Sequence, residues 1–547
     1  MSRPDAKSEA DKEIGKLKFG FPDPDLIKMR SISGFIFVIW CLAYRWDALN
    51  ILMYNPGMGH SHMKFMGGMA DILTAAGHVV TEIRPLMDPH AKWEGVSKSK
   101  NFLHYPIDKE VLRFRAAMEN DPNLCMAQLW AKDMTPFEMA KMTENMTFSF
   151  ARMCERAVFE TDLLRGDGMD DCGHGIFEAI GLKTVIAASS MNVMDHQAGL
   201  FGIPRHYSYV PGSMGNSKEQ MNTWQRGLNM FGSFFESRMM DGVMAAQDAV
   251  FKKHLGAGFP DLKDIVARSA ILFTNTQPYI EFPRIHKVVD LGGIHIKEEL
   301  PALTEEWNNV LSKQPKTVLI SFGSVAKSFL MPITYKKAIV EAVRELSDVQ
   351  FIWKYEGDDL SSWDLPENLY LSKWTPQTAL LADPRLSLFV SHGGLGSTME
   401  IAYSGKPAIV IPLFADQPRN AQMLKRHEIV EIMSKFDLAD SQKLKNAVQA
   451  MLNDESAQKK AAHISSMLKH APLKPKDLLL KNVEFVAKFG SLPQLDPHGR
   501  QLSFIQYFLL DVLGALLLCA LSILTVVYFV LRRIYRFFVP KTKTKSD

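Results

Sequence analysis

His392 followed by Gly393 and Gly394, then Ser397, Glu400 and an Asp416–Gln417 pair, all fall within residues 389–422, FVSHGGLGSTMEIAYSGKPAIVIPLFADQPRNAQ. Together these residue types suit one task, holding a sugar through a nucleoside diphosphate. Glycines let a backbone approach phosphate oxygens closely. A helix opening after them presents unpaired N–H groups and the positive end of its dipole to a diphosphate. Ser397, in the first turn, adds a hydroxyl donor. Glu400 has the wrong sign for phosphate but suits paired ribose hydroxyls. Asp416 and Gln417, acid plus amide, can grip several sugar hydroxyls at once. A glycine turn with ordinary caps would explain the glycines and nothing else. Upstream, WTPQ places Trp374, an aromatic face for a base, three residues before Gln377, an amide for base or ribose.

A second cluster lies near the start, in NPGMGHSH, residues 55–62. Gly57 and Gly59 begin like the dinucleotide fingerprint GxGxxG, but the third position is His62. That fingerprint wants glycine there for close helix–strand packing, so nicotinamide and flavin binding are set aside. A histidine instead puts a titratable group at the carboxyl edge of a strand, facing a crevice.

These clusters need elements to carry them. Ala48 to Tyr54 has the length and apolarity of a strand, a helical pattern follows to about Ala76, Gly77 ends it, and HVVTEI reads as the next strand. The same order recurs as KTVLI, SFGSVAKS, a helical pattern to about Leu346, then VQFIWKY. Two such starts in 547 residues predict two doubly wound α/β domains. Their boundary is placed between Pro283 and Pro301, and their ligand in the crevice between them. A net charge of +3 gives no argument for nucleic acid. No CxxC pair occurs among the five cysteines, so zinc and redox motifs are unsupported.

The ends of the chain address it to a membrane. Val512 to Leu531 is 20 residues without a charge, enough for a transmembrane helix. Arg532, Arg533, Arg536, Lys541, Lys543 and Lys545 follow, which puts the tail in the cytosol and the body on the other side. Ser31 to Tyr44 is a shorter apolar run behind Lys28 and Arg30, and fits a signal peptide. An uncleaved signal anchor is the alternative. The 28 residues before it mix Lys with Asp and Glu, and are read as disordered or as an artefact, with Met29 the alternative start. In an oxidising lumen, Cys125, Cys154 and Cys172 are odd in number, so at least one stays free or pairs with another chain. Asn145-Met146-Thr147 is a glycan acceptor sequence.

WTPQ, SHGGLGSTME and PLFADQPRNAQ, with their spacing, closely resemble the membrane-bound UDP-glucuronosyltransferases within the wider UDP-glycosyltransferase family. The resemblance extends over nearly the whole chain through the GHSH…GH.VT start, CGHGIFEAIG, SFGS, the C-terminal span and the basic tail, and its wording is most like nematode members. It implies a GT-B fold: an N-terminal acceptor-binding domain over residues 45–285 and a C-terminal UDP-sugar-binding domain over 286–500. Before them come the extension 1–28 and the signal 29–44; after them, the span 506–531 and the tail 532–547. Carried over, Trp374 stacks on uracil, and Gln377 and Glu400 hold the nucleoside. Ser324, His392, Gly393, Gly394 and Ser397 meet the diphosphate, and Asp416 and Gln417 the sugar. Gly396 stands where many members have Asn.

The resemblance also implies that the catalytic base is the histidine sixteen positions before the histidine of GH.VT. Counted from His78, that is His62. Its partner acid, five residues before Cys172, is Asp167, with Asp170 and Asp171 as alternatives because ETDLLRGDGMDD lacks a clean strand before the acid. The reaction implied is inverting displacement from UDP-glucuronate or UDP-glucose to a hydroxyl of a small lipophilic acceptor, as in xenobiotic conjugation. Neither a metal nor a cofactor beyond the UDP-sugar is called for, and a homo-oligomer is compatible with it. Lys543 and Lys545 resemble the dilysine signal of endoplasmic reticulum residents. Two other readings stand beside this one: a lipid or sterol glucosyltransferase, and a non-catalytic relative that binds lipophiles or regulates. Met58, Met63, Met66 and Met69 suit either an adaptable acceptor pocket or plain core filling.

Overall fold

The computed structural model describes residues 48–88, 93, 96–120, 127–133, 136–159, 172–282, 284–296 and 300–538. The N-terminal extension, the expected signal peptide, Cys125, Asp167, Asp170, Asp171 and the lysines of the tail lie outside the described residues.

The N-terminal half is built on parallel strands. β1 (Asn50–Tyr54) pairs with β2 (Val79–Pro85), and β2 with β3 (Phe102–Tyr105). Between β1 and β2 runs α1 (His60–Ala75), which buries Met63, Phe65, Met66, Met69 and Leu73. Gly77 makes the turn into β2 at φ +98°, a conformation that favours glycine. A second trio consists of β4 (Ala187–Ser189), β5 (Leu272–Thr274) and β6 (Val288–Asp290). Around them lie α2 (Pro136–Phe159), α3 (Cys172–Ala179), α4 (Asp195–Phe201) and the long α5 (Thr223–Leu255). A disulfide joins Cys154 of α2 to Cys172 of α3.

The C-terminal half is one six-stranded parallel sheet ordered β12-β11-β10-β7-β8-β9. Its strands are β7 (Lys316–Ser321), β8 (Val349–Lys354), β9 (Leu369–Ser372), β10 (Leu386–Ser391), β11 (Ala408–Val410) and β12 (Val430–Ile432). Every residue of β8 is buried, as a central strand covered on both faces requires. The helices that matter for the site are α6 (Ile333–Glu345), α7 (Gln377–Ala382), α8 (Leu395–Ser404) and α9 (Gln417–Lys425). α7, α8 and α9 start beyond the carboxyl ends of strands, so their N-termini gather at one edge of the sheet.

β6 hydrogen-bonds to β5, so the chain stays with the N-terminal half as far as Asp290 before crossing to β7. It later returns: α10 (Pro475–Phe489) sets Leu479, Val483 and Val486 against the Phe65, Met66 and Met69 face of α1. The two halves are also joined by a buried ion pair, Arg419 of α9 to Glu281, at 2.7 and 3.1 Å. Burial opposes the Glu281 charge, but Arg284 and Arg419 outweigh it and hold the carboxyl down at about 2.

After α11 (Phe504–Tyr507), α12 (Leu510–Phe538) is an apolar helix with no buried residue, long enough to cross a membrane. The uncharged run Val512–Leu531 lies inside it, the expected span of 506–531 starts four residues too early, and the helix runs on through Arg532, Arg533 and Arg536. Asn145 corrects a sequence expectation. It sits in the body of α2 and is only 9 % exposed, which leaves no room for a glycan. The four methionines also resolve. Met63, Met66 and Met69 are buried in α1, and Met58 packs on the Met87–Phe150–Met153 cluster.

Candidate functional site

One crevice between the halves is lined by His60, Ser61, His62 and Ser190 on one side. Ser324, Trp374, Gln377, His392, Gly394, Ser397, Glu400, Asp416 and Gln417 line the other. Its walls are close: a Cβ built on Gly396 would lie 3.6 Å from Ser61 Cβ. The starts of α1 and α8 therefore face each other across the gap. An Asn at position 396 would project into this approach, which the glycine leaves clear.

α8 opens at Gly394, and its first intrahelical bond runs from Thr398 N–H to Gly394 O, 2.9 Å. The N–H groups of Leu395, Gly396 and Ser397 have no acceptor within the helix, the arrangement a diphosphate uses. His392 stands over this start, pressed between Gly323 and Gly394. A Cβ on either glycine would fall within 2.7 Å of the ring. Burial, helped by Lys354, pushes the His392 imidazole down to about 4. It is therefore neutral at ordinary pH in the unliganded crevice, where it offers a hydrogen-bonding group rather than a cation. Its buried Nδ1 has no protein partner. Gly393 departs from the expectation. It turns the chain at φ +80°, its N–H donates to Ser391 Oγ (3.3 Å), and it does not line the crevice.

Beyond the helix start, Gln377 Nε2 donates to Glu400 Oε2 (2.5 Å) and to Ser397 Oγ (3.2 Å). Thr378 Oγ1 donates to Glu400 Oε1 (2.5 Å). Both carboxylate oxygens thus point toward the α7 start. Trp374 is 60 % exposed, an open platform with Lys354 Nζ 5.5 Å from its ring and His60 edge-on at 5.5 Å.

Asp416 and Gln417 reach the crevice through a strained turn. Ala415 adopts φ +55°, a left-handed conformation unusual for alanine. Gln417 Oε1 closes the turn by accepting from Leu413 N–H (2.8 Å). Burial pushes the Asp416 carboxyl up, against the donor Asn420 Nδ2 at 2.8 Å.

On the opposite wall, His62 occupies the first turn of α1, after Gly59 at φ +66°. Its Nδ1 hydrogen-bonds to Ser190 Oγ in the loop after β4. Burial pushes the imidazole down to about 4. His60 also lines the crevice, but its ring turns to Trp374. Asp167 lies outside the described residues; the disulfide joins the two helices that bracket its segment. Sequence reasoning missed Ser190, Thr378, Lys354 and the partly buried linker residue His295, whose ring feels Glu400. Thr378 alone had a signal, being adjacent to WTPQ. Of Met58, Met63, Met66 and Met69, none lines the crevice.

Against this geometry, a family model described as UDP-glucoronosyl and UDP-glucosyl transferase matches residues 52–545. The chain is 27% identical over 496 residues to ugt-48 of Caenorhabditis elegans, whose name places it among the UDP-glucuronosyltransferases. That alignment covers 88% of this chain and 93% of the relative. A protein named UDP-glucosyltransferase 2 from Dactylopius coccus is 26% identical over 349 residues, 63% of this chain and 67% of its own length. Among solved structures, the calicheamicin glycosyltransferase CalG4 superposes with a TM-score of 0.53 at 13% identity, covering 81% of this chain and all of its own. TcCGT1, solved with UDP, gives 0.52 at 15% identity, with 81% and 100% covered. These likenesses establish the fold, two facing Rossmann-like domains of GT-B type.

Proposed function

Because the chain belongs to the family of UDP-glucuronosyl and UDP-glucosyl transferases, and so transfers sugar from a UDP-sugar, we propose that it glycosylates a hydroxyl of a small lipophilic acceptor. The donor is UDP-glucuronate or UDP-glucose, the stereochemistry inverts, and α12 anchors the body on the lumenal side of the endoplasmic reticulum membrane. The observation that carries this reading is the crevice in which His62, at the start of α1, faces the start of α8 with its free N–H groups.

In the proposed reaction, uracil rests on Trp374, the ribose hydroxyls take Glu400, and the diphosphate meets the α8 N–H groups, Ser397, Ser324 and His392. Asp416 and Gln417 hold the sugar hydroxyls. The acceptor hydroxyl gives its proton to His62 Nε2 as its oxygen bonds to the anomeric carbon. The bond from that carbon to the β-phosphate oxygen breaks, and UDP leaves with the electron pair. Its developing charge falls on the α8 start. Ser190 Oγ hydrogen-bonds to Nδ1 and orients the ring; for Nε2 to take the proton, Nδ1 must carry the resting one and donate it to Ser190 Oγ. A hydroxyl is neutral, however, and does little to stabilise the imidazolium. A base held down at about 4 needs a carboxylate for that, the role assigned to Asp167.

The test is a panel of UDP-sugars against phenols and sterols, reading product mass and anomeric configuration. A β-glucuronide or β-glucoside from the α-linked donor supports the proposal. A retained anomer refutes the single displacement, and UDP binding without any product refutes catalysis in favour of a binding role.

A further inference from the structure

α5 spans 33 residues, and its two halves differ. The second half buries Val243, Met244, Val250 and Phe251 in the N-terminal core. The first half buries only polar residues, Asn229, Ser233 and Glu236. At 100° per residue these mark one side of the helix. The opposite side carries Trp224, Leu228, Met230, Phe231 and Phe234, with Trp224 74 %, Phe231 66 % and Phe234 54 % exposed. This reverses the ordinary polarity of a surface helix, whose apolar stripe faces the core. Trp224, Phe231 and Phe234 share this side, Leu228 and Met230 lie on its two flanks, and Arg238 follows one turn beyond Phe234.

The place of this face in the fold suggests what covers it. Asn229 Nδ2 donates to the carbonyls of Tyr207 (3.0 Å) and Val210 (2.9 Å). The Tyr207 ring stacks on Phe508, centroids 6.1 Å apart. Phe508 stands between α11 and α12, and its neighbours Phe504, Ile505 and Leu509 are exposed apolar residues at the mouth of the span. Arg500, just upstream, donates to the Ala267 carbonyl at 2.9 Å and packs on Gly202. The start of α5 is thus fixed beside the point where the chain enters α12.

We infer that the outward face of α5, from Trp224 to Phe234, lies in the interfacial layer of the same bilayer that α12 crosses. An amphipathic helix with aromatic residues on one face and an arginine one turn beyond them is built for that layer. The body then rests on the membrane at two places, the span and this helix. The loop between α4 and α5 continues to the sugar-binding helix, where Pro211 O accepts from Arg419 Nε at 3.4 Å. The inference rests on reading α12 as a membrane span.

The experiment uses the full chain in liposomes doped with a phosphatidylcholine that carries a diazirine in its acyl chain. After irradiation, lipid adducts are mapped by peptide mass spectrometry. Adducts are expected on α12 and on the Trp224–Phe234 stretch, and not on α6 of the other half. A Leu228→Ser, Phe231→Ser, Phe234→Ser variant should lose the α5 adducts to the α6 background and keep those on α12. Its UDP affinity in detergent should match the wild type, because these side chains are exposed. Labelled α12 with unlabelled α5 overturns the inference alone. If neither helix is labelled, the span reading fails and the inference with it. If Phe231→Cys chains instead cross-link into dimers while α5 stays unlabelled, the face meets a second copy and the membrane contact is refuted.

Discussion

Replacing Glu400 with Ala tests the nucleoside site directly. In the unliganded fold its two oxygens accept from Gln377 and Thr378, so the carboxylate is held in place before ribose arrives. Hydrogen bonds to a charged partner contribute about 1.5–3 kcal/mol each. Ribose could make two, but Gln377 and Thr378 already occupy part of the acceptor capacity, so the net gain is counted as one. Loss of 1.5–3 kcal/mol should weaken UDP binding by about 10- to 150-fold. Isothermal titration of detergent-solubilised full chain with UDP measures it. Thermal unfolding is the control, since Gln377 and Thr378 can turn to water at this partly open site. Glu400→Gln keeps the shape and removes the charge, and should fall between wild type and Glu400→Ala. UDP affinity unchanged in Glu400→Ala, with a folded protein, would refute the ribose assignment. A comparable loss in Asp416→Asn would show that the sugar and nucleoside roles are misdivided.

Ala415→Gly removes an alanine from a left-handed turn. The strain relieved, about 1–2 kcal/mol, exceeds glycine's entropic cost of about 0.5–1 kcal/mol, so Tm should rise slightly while turnover falls as the Asp416 turn loosens. Cys172→Ser opens a loop with a sequence separation of 18. It should cost about 3 kcal/mol by loop entropy, seen in denaturant titration, and should lower turnover more than UDP affinity. Acid should destabilise the fold. His62, His174, His295 and His392 are each pushed down to about 4 by burial, against 6.5 when unfolded. The unfolded chain therefore takes up protons first, and stability present above pH 6.5 drains as pH falls toward 4. For His174, sealed in the core, the loss at pH 5 is about 2 kcal/mol. Glu236, pushed up to about 8 by burial, and Asp416, pushed up by burial as well, work in the opposite sense, two carboxyls against these four histidines. Tm scans from pH 7.5 to 5 should show the decline, and His174→Leu should lessen it.

What could be read from the sequence was local chemistry. The α8 start, Gln377 and the Asp416–Gln417 turn each come in the loop or first turn after a strand, and Glu400 lies further along α8, so spacing along the chain maps onto position at one edge of the sheet. Contacts distant in sequence could not be read this way. Ser190 reaches His62 from 128 residues away, and no periodicity foretells that bond. Gly393 shows the limit of composition: adjacent glycines suggested two phosphate contacts, whereas one of them serves the turn. Asn145 matched a glycan sequence, but tertiary packing of α2 buried it. The polar inner face and apolar outer face of α5 were also hidden, because periodicity reports that a helix has two faces and not which one the fold turns inward. β6 is only three residues long, and its partner β5 lies on the near side of the expected boundary.

The central claim is that His62 is the base and that the nucleotide is held by the opposite wall. Turnover at saturating donor and acceptor, measured beside UDP affinity for wild type, His62→Ala and His60→Ala, tests it most directly. His62→Ala should lose about 10²–10⁴-fold in turnover and keep its UDP affinity, and His60→Ala should lose much less. Near-normal turnover in His62→Ala with a large loss in His60→Ala would contradict it and move the base to His60.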